Sequence, residues 1–447
     1  MRHPVALTIA LSSFLLSSCV CALALDPSLD ISQYAHTAWK VRDGFVKGAI
    51  VMIAQTPDGY LWLGTELGLF RFDGVRAVPW QPTGDEQLPS SFISGLLLAH
   101  DGTLWIGTLK GLASYKDGRL TQYPELAGAS IGLFLEDHEH TVWFGTRQAA
   151  VGKLCAMRGR NVECYGAGSF GPFVNPLYED QKGNLWLNSA SGVWRWAPGS
   201  PERYALPPGV IATNTLAEDD SGTLLLGTTD GVKRLVAGKS ENYTLPGISS
   251  HFMAFKFLHA TDGALWIGTS QGLLRLYQGR VDRFSSADGL SGDVVQGIFV
   301  DREGTVWAGT TDGLDRFREY SVPTISRNQG LSASAGLVQA TSDGGIWTDT
   351  AEGLERWESG GVTLYRGRSA LNGNRISDET KPKVSGATTI ANSGLLGTPR
   401  SLGRDDEGRL WVSTSDGVFY FERGRFVRVS GIPVLPSGYS FAIDGDG

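Results

Sequence analysis

Beyond its N-terminus the sequence has no apolar run approaching the roughly 20 residues that a membrane-spanning helix needs. Charge of one sign is also missing. A net charge of -7 and a pI of about 5.6 give no electrostatic reason to bind nucleic acid or an anionic membrane surface. Cysteine is scarce, at 4 in 447 residues, which excludes a disulfide-stapled miniature fold. Nor is there a P-loop, a Gly-x-Ser-x-Gly elbow or a His-Glu-x-x-His pair.

What is abundant is glycine, at 59 residues, and a pattern that uses it. The stretch Asp262-Gly-Ala-Leu-Trp-Ile-Gly-Thr-Ser-Gln-Gly-Leu-Leu-Arg-Leu-Tyr277 recurs along the chain. An Asp-Gly turn opens an alternating apolar run centred on Trp, followed by Gly-Thr, two free positions, Gly-Leu and a second run. The central positions are Trp62, Trp105, Trp143, Trp186, Leu225, Trp266, Trp307, Trp347 and Trp411. A period near 40 with four short strands per unit predicts an all-β fold of propeller blades, each a four-stranded antiparallel sheet. The tryptophan, fixed in mid-strand, is expected in the core between adjacent sheets.

Residues 1–24 read as a signal peptide: Met1-Arg-His precedes an apolar run from Val5 to Leu16, with small residues at Ala22-Leu-Ala24. Leu16-Ser-Ser-Cys19 also fits a lipoprotein cleavage box, which leaves Cys19 lipidated; apart from that, membrane attachment would need a span downstream of this chain. The mature chain then keeps Cys155 and Cys164, flanking Arg158-Gly-Arg-Asn161. A two-residue turn at Gly159-Arg160 sets them opposite each other on a non-hydrogen-bonded rung, roughly 4.5 Å apart at Cα, so an oxidising compartment is expected to join them. Two buried free thiols are the alternative.

Ring closure follows from an orphan and a gap. Tyr34 to Val41 alternates like a strand without a hairpin partner, and the seventh unit (Val294–Val300, Thr305–Thr310, Gly313–Phe317) lacks a fourth strand before Tyr320. The first is expected to supply the second, closing a seven-bladed propeller over residues 33–321. Residues 322–447 then start a second, incomplete propeller around Trp347 and Trp411, interrupted by a polar stretch from Arg366 to Arg400. On this reading the chain is a fragment, and residues 323–447 are the less stable part.

The two free positions after Gly-Thr vary while the framework repeats: Glu66, Lys110, Arg147, Ser191, Asp230, Gln271 and Asp312. Variation on a rigid scaffold is how a binding face looks, and freely drifting turn tips look the same. His138-Glu-His140 resembles a metal pair but occupies the slot that reads Arg302-Glu-Gly304 elsewhere, so it is read as a solvated turn. Asp444-Gly-Asp-Gly447 is the repeat's own turn without the downstream Glu of a calcium loop. No catalytic constellation, metal or cofactor is expected.

With the Asp-Gly-x-Leu-Trp-x-Gly-Thr-x-x-Gly-Leu unit in hand, the sequence resembles the two-component regulator propeller family from about Ile31 to Gly447. Leu25-Asp-Pro-Ser-Leu-Asp-Ile-Ser-Gln-Tyr34 and Trp39-Lys-Val-Arg-Asp-Gly44 resemble the start of such sensors. The resemblance implies the exported sensor region of a bacterial histidine kinase or hybrid two-component system. It implies a periplasmic module that senses a small molecule or glycan, with a homodimer formed through the parent sensor. A propeller enzyme acting on glycans and a protein–protein scaffold are the rival readings.

Overall fold

The computed structural model describes residues 25–82, 86–147, 151–159, 161–166, 169–197, 201–206, 213–249, 251–319, 325, 329–331, 335–350, 353–358, 361–365, 388–390 and 394–432. The signal segment with Cys19, most of the polar stretch after Tyr365, and the last Asp-Gly turn lie outside these. Among the described residues no helix is long and apolar enough to cross a membrane. The chain divides into two compact units, residues 1–321 and 322–447.

The first unit holds seven four-stranded antiparallel sheets. Blades 1 to 7 have inner strands Ile50–Gln55, Ile93–Leu98, Ser130–Glu136, Val174–Glu179, Thr213–Glu218, Ala254–His259 and Val295–Val300. Each inner strand packs beside the next, and that of blade 7 packs beside that of blade 1, so the ring is closed. Second strands such as Leu61–Thr65 and Leu265–Thr269 are buried along their whole length, as strands covered on both faces must be.

The repeat explains this packing residue by residue. Trp62, Trp105, Trp143, Trp186, Trp266 and Trp307 are all buried; Trp62 packs with Ile93 and Ile106 of blade 2, and Trp307 with Ile50 and Leu61 of blade 1. The glycine of Gly-Thr is needed because the next inner strand starts against it: a Cβ on Gly268 would stand 2.6 Å from the Val295 carbonyl. Opposite that position, glycine in six blades and Asn188 in blade 4, every inner strand carries one extra residue, a β-bulge.

Closure runs as the orphan strand suggested. Ala35–Lys40 pairs antiparallel with Gly313–Arg318 as the outer strand of blade 7. Its His36 Nε2 lies 2.8 Å from Oδ1 of the fully buried Asp315, which also accepts from the Ser291 amide at 3.0 Å. Trp39 stacks on Trp307 and meets Phe72 of blade 1 edge-on. Ahead of it, Arg275 and Arg280 of blade 6 donate to the carbonyls of Leu29 and Ser28 at 2.9 and 2.7 Å. Observed strand ends differ from the expected ones by a residue or two, for instance Val306–Thr310 rather than Thr305–Thr310.

Among the described residues the second unit contains two sheets. Pro399–Arg404, Leu410–Thr414, Gly417–Glu422 and Arg425–Arg428 form a four-stranded meander. The sheet around Trp347 departs from the four-stranded plan: Thr388–Ile390 adds a fifth strand parallel to Gly361–Tyr365. An outer strand's unpaired amides and carbonyls are a template for such pairing, and a polar stretch between units carries no periodicity that would announce it.

Candidate functional site

The connections after Gly-Thr are held by one hydroxyl. Thr108, Thr228 and Thr269 each donate Oγ1 to the carbonyl of Gly111, Gly231 or Gly272 (2.7–2.9 Å) and accept from the amide of the second free residue, Lys110, Asp230 or Gln271 (3.0–3.2 Å). The backbone of each tip is therefore fixed and its side chain left to vary.

The structure does not gather the variable residues into one cluster. Asp230 pairs with Lys233 at 3.2 Å, Gln271 donates to the His251 carbonyl at 2.9 Å, Asp312 accepts from Thr311 at 3.0 Å, and Ser191 accepts from Trp194 Nε1 at 3.1 Å. Glu66 lies against Gly48, and Lys110 is exposed. Arg147 behaves differently. Its guanidinium sits 5.2 Å from the Phe173 ring centroid, and the two residues form a backbone bridge between blades 3 and 4.

Arg147 also lines a cavity of about 350 Å³ whose other walls include Ser94, Ser130, Gly132, Phe173, Asn175, Asn214 and Phe255. These come from the first residues of the inner strands of blades 2 to 6, so the cavity lies among the strands that line the ring's axis. Several are bulge residues that tie neighbouring blades together. Ser94 Oγ donates to the Ile131 carbonyl at 2.6 Å, Asn175 Oδ1 accepts from the Leu133 amide at 3.0 Å, and Asn214 Nδ2 donates to the Ala254 carbonyl at 3.0 Å. Each amide spends one end on the scaffold, which leaves Asn175 Nδ2 as a donor and Asn214 Oδ1 as an acceptor.

Lys256, one residue past Phe255 on the same inner strand, has no side-chain partner among the described residues. Burial pulls its ammonium below the ordinary lysine range. The cavity lining thus offers one cation, two amide ends and two aromatic rings.

Sequence reasoning named Arg147 but missed the asparagines and Lys256. In blade 3 Thr146 bonds to Lys153 in place of a glycine beyond the tip, because the connection is longer there. Polar residues at bulge positions were legible only once the bulge was known.

The opposite rim carries the Asp-Gly turns and repeats its contacts from seam to seam. Glu136, Glu179 and Glu218 accept from the turn amides of His100, His138 and Gln181 in the preceding blade (2.8–2.9 Å). Asp137, Asp180 and Asp301 accept from Nε1 of Trp143, Trp186 and Trp307 (2.6–2.8 Å). Burial works to raise the Asp180 carboxyl, yet hydrogen bonds from Trp186, Asn184 and Lys182 hold it below the usual carboxylate range. The Glu179 carboxylate raises the His138 imidazole above its ordinary value.

In blade 3 the cysteines stand opposite each other on strands Leu154–Arg158 and Asn161–Tyr165. Cys155 pairs with Cys164 across the outer hairpin, 4.1 Å apart at Cα, and the two are disulfide-bonded.

Residues 87–110 and 289–312 match the two component regulator propeller family. No curated protein matches the sequence. Among solved structures, the chain resembles the extracellular domain of a protein of B. thetaiotaomicron described as a hybrid two component system (19% identity, TM-score 0.62), covering 89% of this chain and 54% of that one. A second such domain from that organism, described as belonging to a one component system, matches at 18% identity and TM-score 0.54, over 89% and 53% of the two chains. The chain spans about half the length of these domains. Virginiamycin B lyase from Staphylococcus aureus, solved with quinupristin, matches at 12% identity and TM-score 0.52, over 64% of this chain and 100% of the enzyme. At these identities the likeness is one of fold. Two repeats of this chain are of the two component regulator propeller type.

Proposed function

We propose that the first unit is an exported ligand-sensing module, working in the periplasm as part of a two-component sensor whose kinase lies outside this chain. The cavity beside Arg147 carries the proposal. Its volume is that of a small-molecule site, and its walls combine polar side chains with two aromatic rings. Aromatic faces at Phe173 and Phe255 suit the C–H face of a sugar or a flat metabolite, the amide ends of Asn175 and Asn214 suit hydroxyls, and Arg147 suits an anionic group. The ligand class is therefore a hydroxyl-rich molecule with a carboxylate, sulfate or phosphate, such as an acidic saccharide.

Signalling from such a site requires that the ligand bind one arrangement of the parent sensor more tightly than another. The rival reading, a propeller enzyme, is favoured by the likeness to virginiamycin B lyase. Against it, the cavity lining offers no carboxylate or imidazole to move a proton. A thermal-shift panel of neutral sugars, uronic and sulfated sugars and small carboxylates, with product analysis of each hit, tests the choice. A shift from an anionic member without turnover is expected. Product formation would favour the enzyme, and silence across the panel would contradict a sensing cavity.

A further inference from the structure

The left-handed tip of the Asp-Gly turn is glycine in six of the seven blades: Gly59, Gly102, Gly183, Gly222, Gly263 and Gly304, with φ between 75° and 90°. Blade 3 holds His140 there, at φ 63°. A non-glycine residue in this conformation is disfavoured, and the framework gives no reason for it. Its surroundings do.

The His140 ring stacks on that of His100, from the turn of blade 2, with centroids 3.7 Å apart. Both Nδ1 atoms face one oxygen: Glu136 Oε1 lies 2.5 Å from His100 Nδ1 and 3.4 Å from His140 Nδ1. The other oxygen, Oε2, is held by the His100 amide at 2.9 Å, which orients the carboxylate. The three ligand atoms all lie within 4.8 Å of one another.

We propose that His100, Glu136 and His140 form a divalent-metal site, suited to zinc, that cross-links blades 2 and 3. Two imidazoles and a carboxylate are a zinc-type set and a poor one for calcium or magnesium, which take oxygen ligands. Tetrahedral zinc ligands about 2 Å from the metal stand about 3.3 Å apart, so side-chain rotation suffices to close the set. Both imidazoles are more than half exposed, which leaves the remaining coordination position to water. On binding, each neutral imidazole gives its Nδ1 lone pair, any proton there passing to solvent, and Glu136 gives Oε1.

The seam between blades 3 and 4 is a built-in control. His138 and Glu179 repeat the pairing of His100 and Glu136, but the tip is Gly183 and among the described residues there is no third ligand.

The test is calorimetric titration of the chelator-stripped, tag-free protein with Zn²⁺, beside His140→Gly and His100→Ala. His140→Gly restores the residue the other six blades use, so its zinc-free melting temperature should be unchanged or higher. The wild type should bind one Zn²⁺ and melt at higher temperature with it. Both variants should lose at least about tenfold in affinity. No saturable binding by the wild type, or a folded His140→Gly that binds within twofold of it, would overturn the site.

Discussion

Blades 3 and 4 are neighbours built on one plan, and they differ at three places. Blade 3 has His140 at the turn tip where blade 4 has Gly183. Thr146 reaches to Lys153 across a long connection, where Ser189 reaches Gly192 across two residues. Its outer hairpin is closed by Cys155–Cys164, where blade 4 has the exposed pair Arg195–Glu202 at 2.7 Å. What the blades share is construction: a carboxylate that accepts from the tryptophan, and a glutamate that reaches the preceding turn. The first two departures fall at the histidine cluster on one rim and beside the cavity on the other, so these breaks in the repeat mark its chemistry.

The comparison breaks most visibly if blade 4 can be given blade 3's tip. A Cβ on Gly183 would lie 3.3 Å from His138 Cε1 and 4.0 Å from Glu179 Oε1, so Gly183→His should complete a second triad. Zinc titration is expected to rise from one site to two; a stoichiometry that stays at one would show that the tip residue does not set the geometry.

Next in size is the bridge. Serine at both Cys155 and Cys164 reopens a closed loop of about ten residues and should cost about 2–3 kcal/mol in denaturant unfolding of the first unit. Arg195→Ala in the matching hairpin of blade 4 should cost less than about 0.5 kcal/mol, because exposed ion pairs contribute little. Similar losses would mean that the bridge adds nothing beyond an ordinary surface contact.

The shared latch should respond alike in both blades. Asp137→Ala and Asp180→Ala each leave a tryptophan Nε1 and two turn amides without their acceptor, a loss of about 1–3 kcal/mol. Chemical unfolding of the two variants measures it, and a clear inequality would deny the common plan.

The smallest effect is a titration. Because Glu179 raises the His138 imidazole, that pair's contribution is full below the unfolded value of 6.5 and is lost as pH rises through the folded value. Asp180 runs the other way: its depressed carboxyl contributes above the unfolded value of 3.8, and the contribution is lost as pH falls through the folded value. An NMR titration should place His138 above 6.5 and return it to the ordinary range in Glu179→Gln.

Much of the fold was legible because each repeated letter has one job. Trp fills the space between sheets, Gly268 and its equivalents admit the next inner strand, and the threonine pins the tip. The strand Ala35–Lys40 could be placed because the seventh unit lacked an outer partner. The site was less legible. Arg147 stood out as a variable tip, but its companions Asn175 and Asn214 sit at bulges that shift register without any sequence mark. His140 and His100 lie 40 residues apart, and their meeting depends on the ring bringing two turns side by side. Along the chain alone His138-Glu-His140 reads as a solvated turn, because its alternate residues face different seams and meet their partners only across the ring.

The claim that departures from the repeat carry the function is tested most directly by calorimetry on the compound that shifts the melting temperature most. Its affinity should fall at least about tenfold in Arg147→Ala, the loss of one charge-assisted contact. Glu66→Ala and Gln271→Ala, at regular tips away from the cavity, should stay within twofold of the wild type. An Arg147→Ala variant that binds as well as the wild type, while either of the other two loses affinity, would contradict the account.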